Sequence, residues 1–395
     1  LKIHKLLVVT VVQALDEIFE QGAYADKVIQ RNLKNQRQWG ARDRRFFAET
    51  VYEIVRWERL LAYLADDNDL WKIWAAYWVR QGHELPDWPE LEGFSAEKIK
   101  QRQKDIPSFA IAQSIPDWMD KVLSQEIGPE YKEVVRALNQ PAEVFLRVNG
   151  LKTTVEELIP VLKEAGIDAE RVSDDLPFAL RLKERKNVFI TEPFKKGLFE
   201  VQDAASQMVA PLLDVQPGHR VIDACAGAGG KSLHLAALMK NKGKILSLDI
   251  HEWKLKELKV RARRDGVDVI ETRPIESSKV IKRLYDTADR VLLDVPCSGM
   301  GVLRRNPDSK WKLNEDEIAR LHDLQYEILT NYSGMTKKGG KLVYATCSLL
   351  PSENEQQIQK FLQANGDKWT LEKEIHLRPD REGFDGFYAA LLKRH

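Results

Sequence analysis

Along the first 65 residues, apolar side chains recur at helical spacing. Val8, Val11, Val12, Leu15, Ile18 and Phe19 form one stripe, and the run from Phe46 to Trp57 continues through Leu60, Leu61 and Leu64. This is the period of helices with one buried face. A Trp-rich run over residues 70–80 predicts a further buried helix. Pro86, Pro89 and Pro107 interrupt residues 82–108, which read as mostly loop with one short helix. Further helices are expected to open at Pro116 and at Gly128. The pattern therefore predicts a helical domain over residues 1–139.

At Pro141 the period changes. Residues 142–149 alternate like a strand. Thr154 with Glu157 three residues on is a capping box for a helix that Gly166 closes. Short strand-like runs follow at residues 179–182 and 188–190, giving a small α/β module over residues 140–200. Beyond it, apolar runs at residues 220–224, 245–249, 267–270, 291–293 and 342–344 alternate with helical segments. Near-continuous apolar strands imply a parallel sheet covered on both faces. Residues 371–377 and 386–392 are expected to add edge strands, which completes a domain over residues 201–395.

With 61 Lys and Arg against 60 Asp and Glu, the net charge is only +1. Nucleic-acid binding would have to rest on local patches. Lys254, Lys256, Lys259, Arg261, Arg263 and Arg264 share one predicted helix, Arg42, Arg44 and Arg45 cluster near the start, and Arg304, Arg305, Lys310 and Lys312 lie close together. Each patch reads equally as a solvated face. No run approaches the roughly 18 apolar residues of a membrane span, and residues 1–6 lack a secretory cleavage pattern. Three cysteines make no disulfide framework, so a reducing cytoplasm is expected.

Two of those cysteines end apolar runs. Cys297 sits in Asp294-Val295-Pro296-Cys297-Ser298-Gly299 and Cys347 in Ala345-Thr346-Cys347-Ser348. Strand ends of an open parallel sheet are where substrates bind, and two thiols delivered to one crevice suggest covalent chemistry with separate roles. The first strand of the sheet runs into Asp223-Ala224-Cys225-Ala226-Gly227-Ala228-Gly229-Gly230-Lys231-Ser232. Glycines here let a ligand approach the backbone. The spacing is neither GxGxxG nor a phosphate loop, which argues against a nicotinamide oxidoreductase. Asp249, at the end of the second strand, suits ribose hydroxyls or a helix cap. Asp223 suits a ligand ammonium or a brace for the turn. Cys225 reads as packed rather than reactive. Lys231 either steadies the base and loop or faces solvent, and Trp311 either stacks on a base or packs in a core.

Residues 197–207, the loop from Cys225 to Lys231, Asp249, the Asp294–Gly301 segment, Arg304-Arg305-Asn306-Pro307-Asp308, and Thr346-Cys347-Ser348 followed by Pro351-Ser352-Glu353-Asn354-Glu355 together carry a family resemblance. In this order they resemble the RsmB/NOP2/Sun family of S-adenosylmethionine-dependent RNA cytosine-C5 methyltransferases, and most closely the bacterial ribosomal RNA methyltransferase B group. The resemblance implies a Rossmann-like class I methyltransferase domain with a mostly parallel, doubly wound sheet. A small RRM-like α/β module and an N-terminal helical domain, similar to the NusB-like fold, precede it. It implies Cys347 as nucleophile and Cys297 as the thiol that assists proton removal and release. Asp294 suits a hydrogen bond to the cytosine N3/N4 edge, and Lys231 completes the expected catalytic set. It implies that S-adenosylmethionine is held by Asp223, Ala224, Cys225, Ala226, Gly227, Gly229, Gly230, Lys231, Asp249, Asp268, Asp294 and Pro296. Small-subunit 16S ribosomal RNA is the implied substrate, gripped by Arg42, Arg44, Arg45, Arg304, Arg305, Lys310 and Lys312. A monomer without metal or membrane association is expected. Ala228 departs from the family's usual proline, which bears on loop rigidity. The same chemistry on transfer RNA, or a non-catalytic RNA-binding assembly protein, are the alternatives.

Overall fold

The computed structural model describes residues 3–395. Leu1 and Lys2, part of the segment read above for a secretory signal, lie outside the described residues. By its contacts the chain divides into two units: residues up to Pro141 together with Leu303–Glu315, and Ala142–Val302 together with Asp316–His395.

The first unit is helical. Its helices include Lys5–Phe19, Ala25–Asn35, Ala41–Ala65, Leu70–Arg80, Asp117–Ile127 and Tyr131–Leu138. Their apolar stripes meet in one core that contains Val11, Leu15, Phe47, Val51, Ile54 and Trp74. The Asp69 carboxylate caps the Trp-rich helix by accepting from the Trp71 and Lys72 N–H groups. Trp74 is fully buried and stacks on Trp78 at 5.5 Å and Trp88 at 5.6 Å. Between residues 82 and 108 there is a helix at Ala96–Arg102 and a single turn at Pro89–Leu91.

The segment Leu303–Glu315 packs into this helical unit, far in sequence from its neighbours there. Trp311 is partly buried against the core and donates Nε1–H to the Val55 carbonyl at 2.8 Å. Trp311 therefore packs in a core.

The second unit holds two sheets. The strands in chain order are β1 (Phe145–Val148), β2 (Ala169–Arg171), β3 (Ala179–Leu182), β4 (Phe199–Val201), β5 (Arg220–Asp223), β6 (Lys244–Asp249), β7 (Ile270–Pro274), β8 (Ala288–Asp294), β9 (Thr336–Thr346), β10 (Trp369–Leu377) and β11 (Phe387–Arg394). The first four form a small sheet in the order β2-β3-β1-β4, antiparallel throughout. The capping box at Thr154 and Glu157 opens its helix, Val155–Glu164. Residues 188–190 are a 3-10 turn and not the expected strand. Asn187 caps that turn through the Phe189 N–H, Phe189 and Ile190 are exposed, and β4 pairs with β1.

The large sheet has the order β10-β11-β9-β8-β5-β6-β7. Strands β5 to β9 are mutually parallel, and β11 runs antiparallel to both β9 and β10. Its apolar strands bury alternate residues on opposite faces. Val221, Ile245 and Leu292 join one core, and Ile222, Leu246, Val291 and Leu293 join the other. Two sequence expectations shift. β11 is an inner strand, paired on both sides, with residues 387–392 buried. The third parallel strand starts at Ile270 rather than 267, because Gly266 at φ +73 closes the preceding helix and the Val267 N–H still bonds the Ala262 carbonyl.

Strand order reverses at β5, which lies between β6 and β8. The crevice at such a switch point, outside the carboxyl ends of the strands, is where open α/β sheets bind ligands. The loops after β5, β8 and β9 all leave from that edge. No helix among the described residues is long and apolar enough to cross a membrane.

Candidate active site

The loops after β8 and β9 bring Cys297 Sγ and Cys347 Sγ to 3.3 Å, within thiol hydrogen-bonding distance. Both side chains are half-buried. Close approach of the two loops depends on glycine. The Gly301 N–H donates to the Cys347 carbonyl at 2.9 Å, and a Cβ on Gly301 would lie 2.1 Å from the Gly386 carbonyl oxygen. The hydrogen bond to Cys347, then burial, then the negative charge that Cys347 and Glu353 carry when ionised push the Cys297 thiol up. Cys297 is therefore held as a proton-bearing group beside its partner sulfur.

Asp294, the last residue of β8, accepts from Lys231 Nζ at 2.6 Å. Lys231 does not face solvent. It is buried, and its ammonium lies 5.1 Å from the centre of the Phe387 ring. This ion pair sits between the glycine-rich loop and the loop that bears Cys297.

Within the glycine-rich loop, the Ala224 N–H bonds the Leu292 carbonyl and the Ala226 N–H bonds the Leu248 carbonyl, so sheet pairing continues past β5. Gly227 and Gly229 have φ of +54 and +86, the left-handed region that favours glycine. A Cβ on Gly229 would sit 1.9 Å from Leu258 Cδ1, whereas one on Gly227 would meet open space. Cys225 packs against the apolar core, and burial pushes its thiol up. It has no sign of a nucleophile's environment. Opposite Ala228, two guanidiniums brace the loop. Arg261 Nη1 donates to the Ala228 carbonyl at 2.7 Å, and Arg147 Nη1 donates to the Gly230 carbonyl at 2.5 Å. Arg261 and Arg264 also pair with buried Glu200, so these two leave the basic face read from the sequence. Lys256, Lys259 and Arg263 remain exposed on that helix.

The loop fits S-adenosylmethionine. Asp223 is buried. Its Oδ2 accepts from Ser232 Oγ at 2.6 Å, while Oδ1 has no partner. Burial pushes its carboxyl up to about 7. A ligand ammonium would complete and ionise it. Asp249 accepts from the Gly227 N–H at 2.9 Å and from the His251 N–H at 2.8 Å, and each oxygen keeps a second lone pair. His251, not Asp249, occupies the N-cap position of the next helix. Ile250, which the sequence reading missed, is an apolar side chain 66% exposed directly after Asp249. An apolar residue next to a strand-end acid was the available signal.

Several expected residues lie elsewhere. Asp268 precedes β7, at the sheet edge opposite the crevice, and is tied to Asn241 through its N–H and carboxylate. Pro296 is exposed in the Cys297 loop, and its carbonyl accepts from Gln325 Nε2 at 3.0 Å. Lys310 is buried in the helical unit, where Nζ donates to the Arg56 and Ser114 carbonyls and to Asn139 Oδ1 at 3.0, 3.2 and 2.7 Å. With its three donors used inside a core, it cannot grip a phosphate. Arg304 is buried as well, and its carbonyl accepts from Arg56 Nη2. Lys312 is half-buried and bonds the Ala23 carbonyl and Asp308. Arg44 turns inward to the Leu33 carbonyl at 2.8 Å. Arg42 and Arg45 are exposed, Arg45 beside Glu49, and Arg305 is half-buried.

Residues 210–393 match the family described as 16S rRNA methyltransferase RsmB/F, and residues 115–189 match the ferredoxin-like domain of RsmF/B-like methyltransferases. A protein of Synechocystis sp. named probable ribosomal RNA small subunit methyltransferase B is 32% identical, over 96% of this chain and 97% of that one. Its namesake in Bacillus subtilis is 34% identical over 74% of this chain and 71% of that one. The crystal structure of a methyltransferase homolog protein from Pyrococcus horikoshii superposes with a TM-score of 0.64. It covers 72% of this chain and 97% of that chain at 28% identity. The chain belongs to the RsmB/F family of ribosomal RNA methyltransferases, enzymes that use S-adenosylmethionine to methylate cytosine C5.

Proposed function

We propose that this protein methylates a cytosine of 16S ribosomal RNA, with Cys347 as nucleophile and Cys297 as the thiol that assists release. The observation that carries this reading is the 3.3 Å separation of the two sulfurs beside the Lys231–Asp294 pair. S-adenosylmethionine, when bound, supplies an electrophilic methyl group. The Cys347 thiolate adds to C6 of the base, and the displaced electron pair makes C5 nucleophilic toward that methyl. Asp294, on the crevice side of β8, hydrogen-bonds the N3/N4 edge and favours the redistribution of charge. After methyl transfer, a base takes the C5 proton, its electron pair re-forms the C5–C6 double bond, and the bond to Cys347 breaks. Cys297, next to that sulfur, assists this last step.

The target base must leave its stack to reach such a crevice. Arg42 and Arg45, exposed on the helical unit, are cations suited to RNA phosphates, which give affinity with little sequence choice. Domains over 1–139, 140–200 and 201–395, with residues 303–315 of the last packed into the helical unit, a monomeric state and action in the cytoplasm complete the reading. Two adjacent free thiols are suited to a reducing compartment.

Mapping 5-methylcytosine in small-subunit ribosomal RNA, with and without the protein, tests the substrate. A site that depends on the protein is expected in 16S RNA. Protein-dependent methylation found only in transfer RNA overturns the assignment.

A further inference from the structure

Glu353 is the one acid among the described residues whose side chain touches the residues following both thiols. It is fully buried, in the turn Pro351–Glu353. Its Oε1 accepts from the Ser298 N–H at 2.8 Å and from Gln325 Nε2 at 2.9 Å. Its Oε2 accepts from Ser298 Oγ at 2.5 Å and from Ser348 Oγ. Ser298 directly follows Cys297, and Ser348 directly follows Cys347. The two serine hydroxyls stand 3.3 Å apart, like the two sulfurs one residue earlier in each loop.

Neighbouring groups extend the clamp. Gln325 Nε2 also donates to the Pro296 carbonyl at 3.0 Å, so the same amide holds the Cys297 loop on its other side. Asn354 accepts from Thr346 Oγ1 at 2.5 Å and donates to the Ser348 carbonyl at 3.1 Å, which fixes the peptide on both sides of Cys347. A buried carboxylate is costly unless its lone pairs are met. Here four donors meet it, and they come from the two thiol loops and from the helix Glu315–Tyr332. Side-chain packing alone would not need a charged group at this place.

We propose that Glu353 is the positioning residue of the thiol pair, fastening the Cys297 and Cys347 loops in one register so that both sulfurs address the same ring. The inference rests on the two-thiol chemistry proposed above. It adds a residue that touches neither substrate nor cofactor and acts through Ser298 and Ser348. Its charge is also one of the causes that hold the Cys297 proton in place.

The test is Glu353→Gln, which keeps the volume but turns one acceptor into a donor facing two hydroxyls. Misplacing reacting atoms by about 1 Å can cost about 100-fold in rate. The expected result is a fall in kcat of at least about tenfold, with KM for RNA and for S-adenosylmethionine changed less than about twofold. Peptide-resolved alkylation should show the Cys297 profile displaced to lower pH, because a nearby negative charge is gone. An unchanged kcat and an unchanged alkylation profile in folded Glu353→Gln overturn the inference. Should that variant not fold, Ser348→Ala removes one of the four donors. It is expected to lower kcat at constant KM, and an unchanged kcat overturns the inference. The alkylation profile is read without methyl transfer. By contrast, a Cys347→Ala protein that still methylates RNA defeats the thiol chemistry itself, so the two failures are distinguishable.

Discussion

Lys231 and Asp294 meet at 2.6 Å although 63 residues separate them in sequence. One opens the helix after the glycine-rich loop, and the other closes β8. Their contact joins the methyl-donor side of the crevice to the thiol side. Lys231 is buried and Asp294 half-buried, so removing one partner leaves the other poorly compensated. Lys231→Met should therefore lower kcat by about 100-fold, the scale for loss of one preorganised electrostatic group. Asp294→Asn keeps the shape and should act on kcat in the same direction. Single-turnover methylation kinetics check both. A Lys231→Met enzyme of normal rate would remove this pair from the chemistry.

The two sulfurs make different predictions. Without Cys297, addition of Cys347 to C6 and methyl transfer can proceed while release is slowed. Cys297→Ala should accumulate a covalent protein–RNA species that survives denaturing electrophoresis. Cys347→Ala should form none. The reverse pattern would exchange the two roles.

Asp223 gives a pH dependence with a defined sign. Burial raises its folded pKa from 3.8 to about 7, so the folded protein keeps a proton that the unfolded chain has already lost. Its contribution to stability therefore falls as pH rises from about 4 to about 7, then levels off. Asp223→Asn should flatten that slope in chemical denaturation. Binding runs the opposite way, because an ammonium ligand needs the ionised carboxylate. Affinity for S-adenosylmethionine should drop by up to about tenfold per unit as pH falls below 7, and calorimetry on Asp223→Asn should show weak binding without that slope.

Gly301 offers a steric test. A Cβ there would meet the Gly386 carbonyl oxygen at 2.1 Å and the Cys347 carbonyl oxygen at 2.8 Å, and neither backbone atom can swing away as a side chain would. Gly301→Ala should cost about 1–3 kcal/mol of stability, the range for overpacking. It should cost more in rate, since the displaced backbone carries Cys347. Thermal unfolding and initial rates measured together check the disproportion.

What could be read from the sequence depended on how local the signal was. The apolar runs of β5, β8 and β9 placed Asp223, Asp294 and Cys347 at one sheet edge, because parallel strands align their carboxyl ends. The fate of Arg304 and Lys310 could not be read in this way. A basic run shortly after Cys297 looks like a phosphate grip, and the carbonyls that claim Lys310 belong to Arg56 and Ser114, 254 and 196 residues away. Asp268 came only with the family resemblance, and it stands before β7, at the amino end of the parallel strands. Glu353 stood in a recognised motif, yet no periodicity marks an acid in a 3-10 turn as buried.

Lys310 itself makes the last prediction. Its ammonium satisfies three oxygens inside the helical unit, at 3.0, 3.2 and 2.7 Å. Burial, and then the neighbouring Arg56 charge, lower its pKa to about 7 against the opposing pull of Glu53. Lys310→Met fills the same space and leaves those oxygens without donors, each buried orphan costing about 1–3 kcal/mol. Unfolding should therefore shift to lower denaturant by about 2–4 kcal/mol in total, as some oxygens find water. RNA affinity at constant fold should show no loss of salt dependence, because no phosphate contact has been removed. Were Lys310 instead to bind RNA, the variant would keep its stability and lose about one unit of salt slope, and parallel denaturation and salt titrations separate these outcomes.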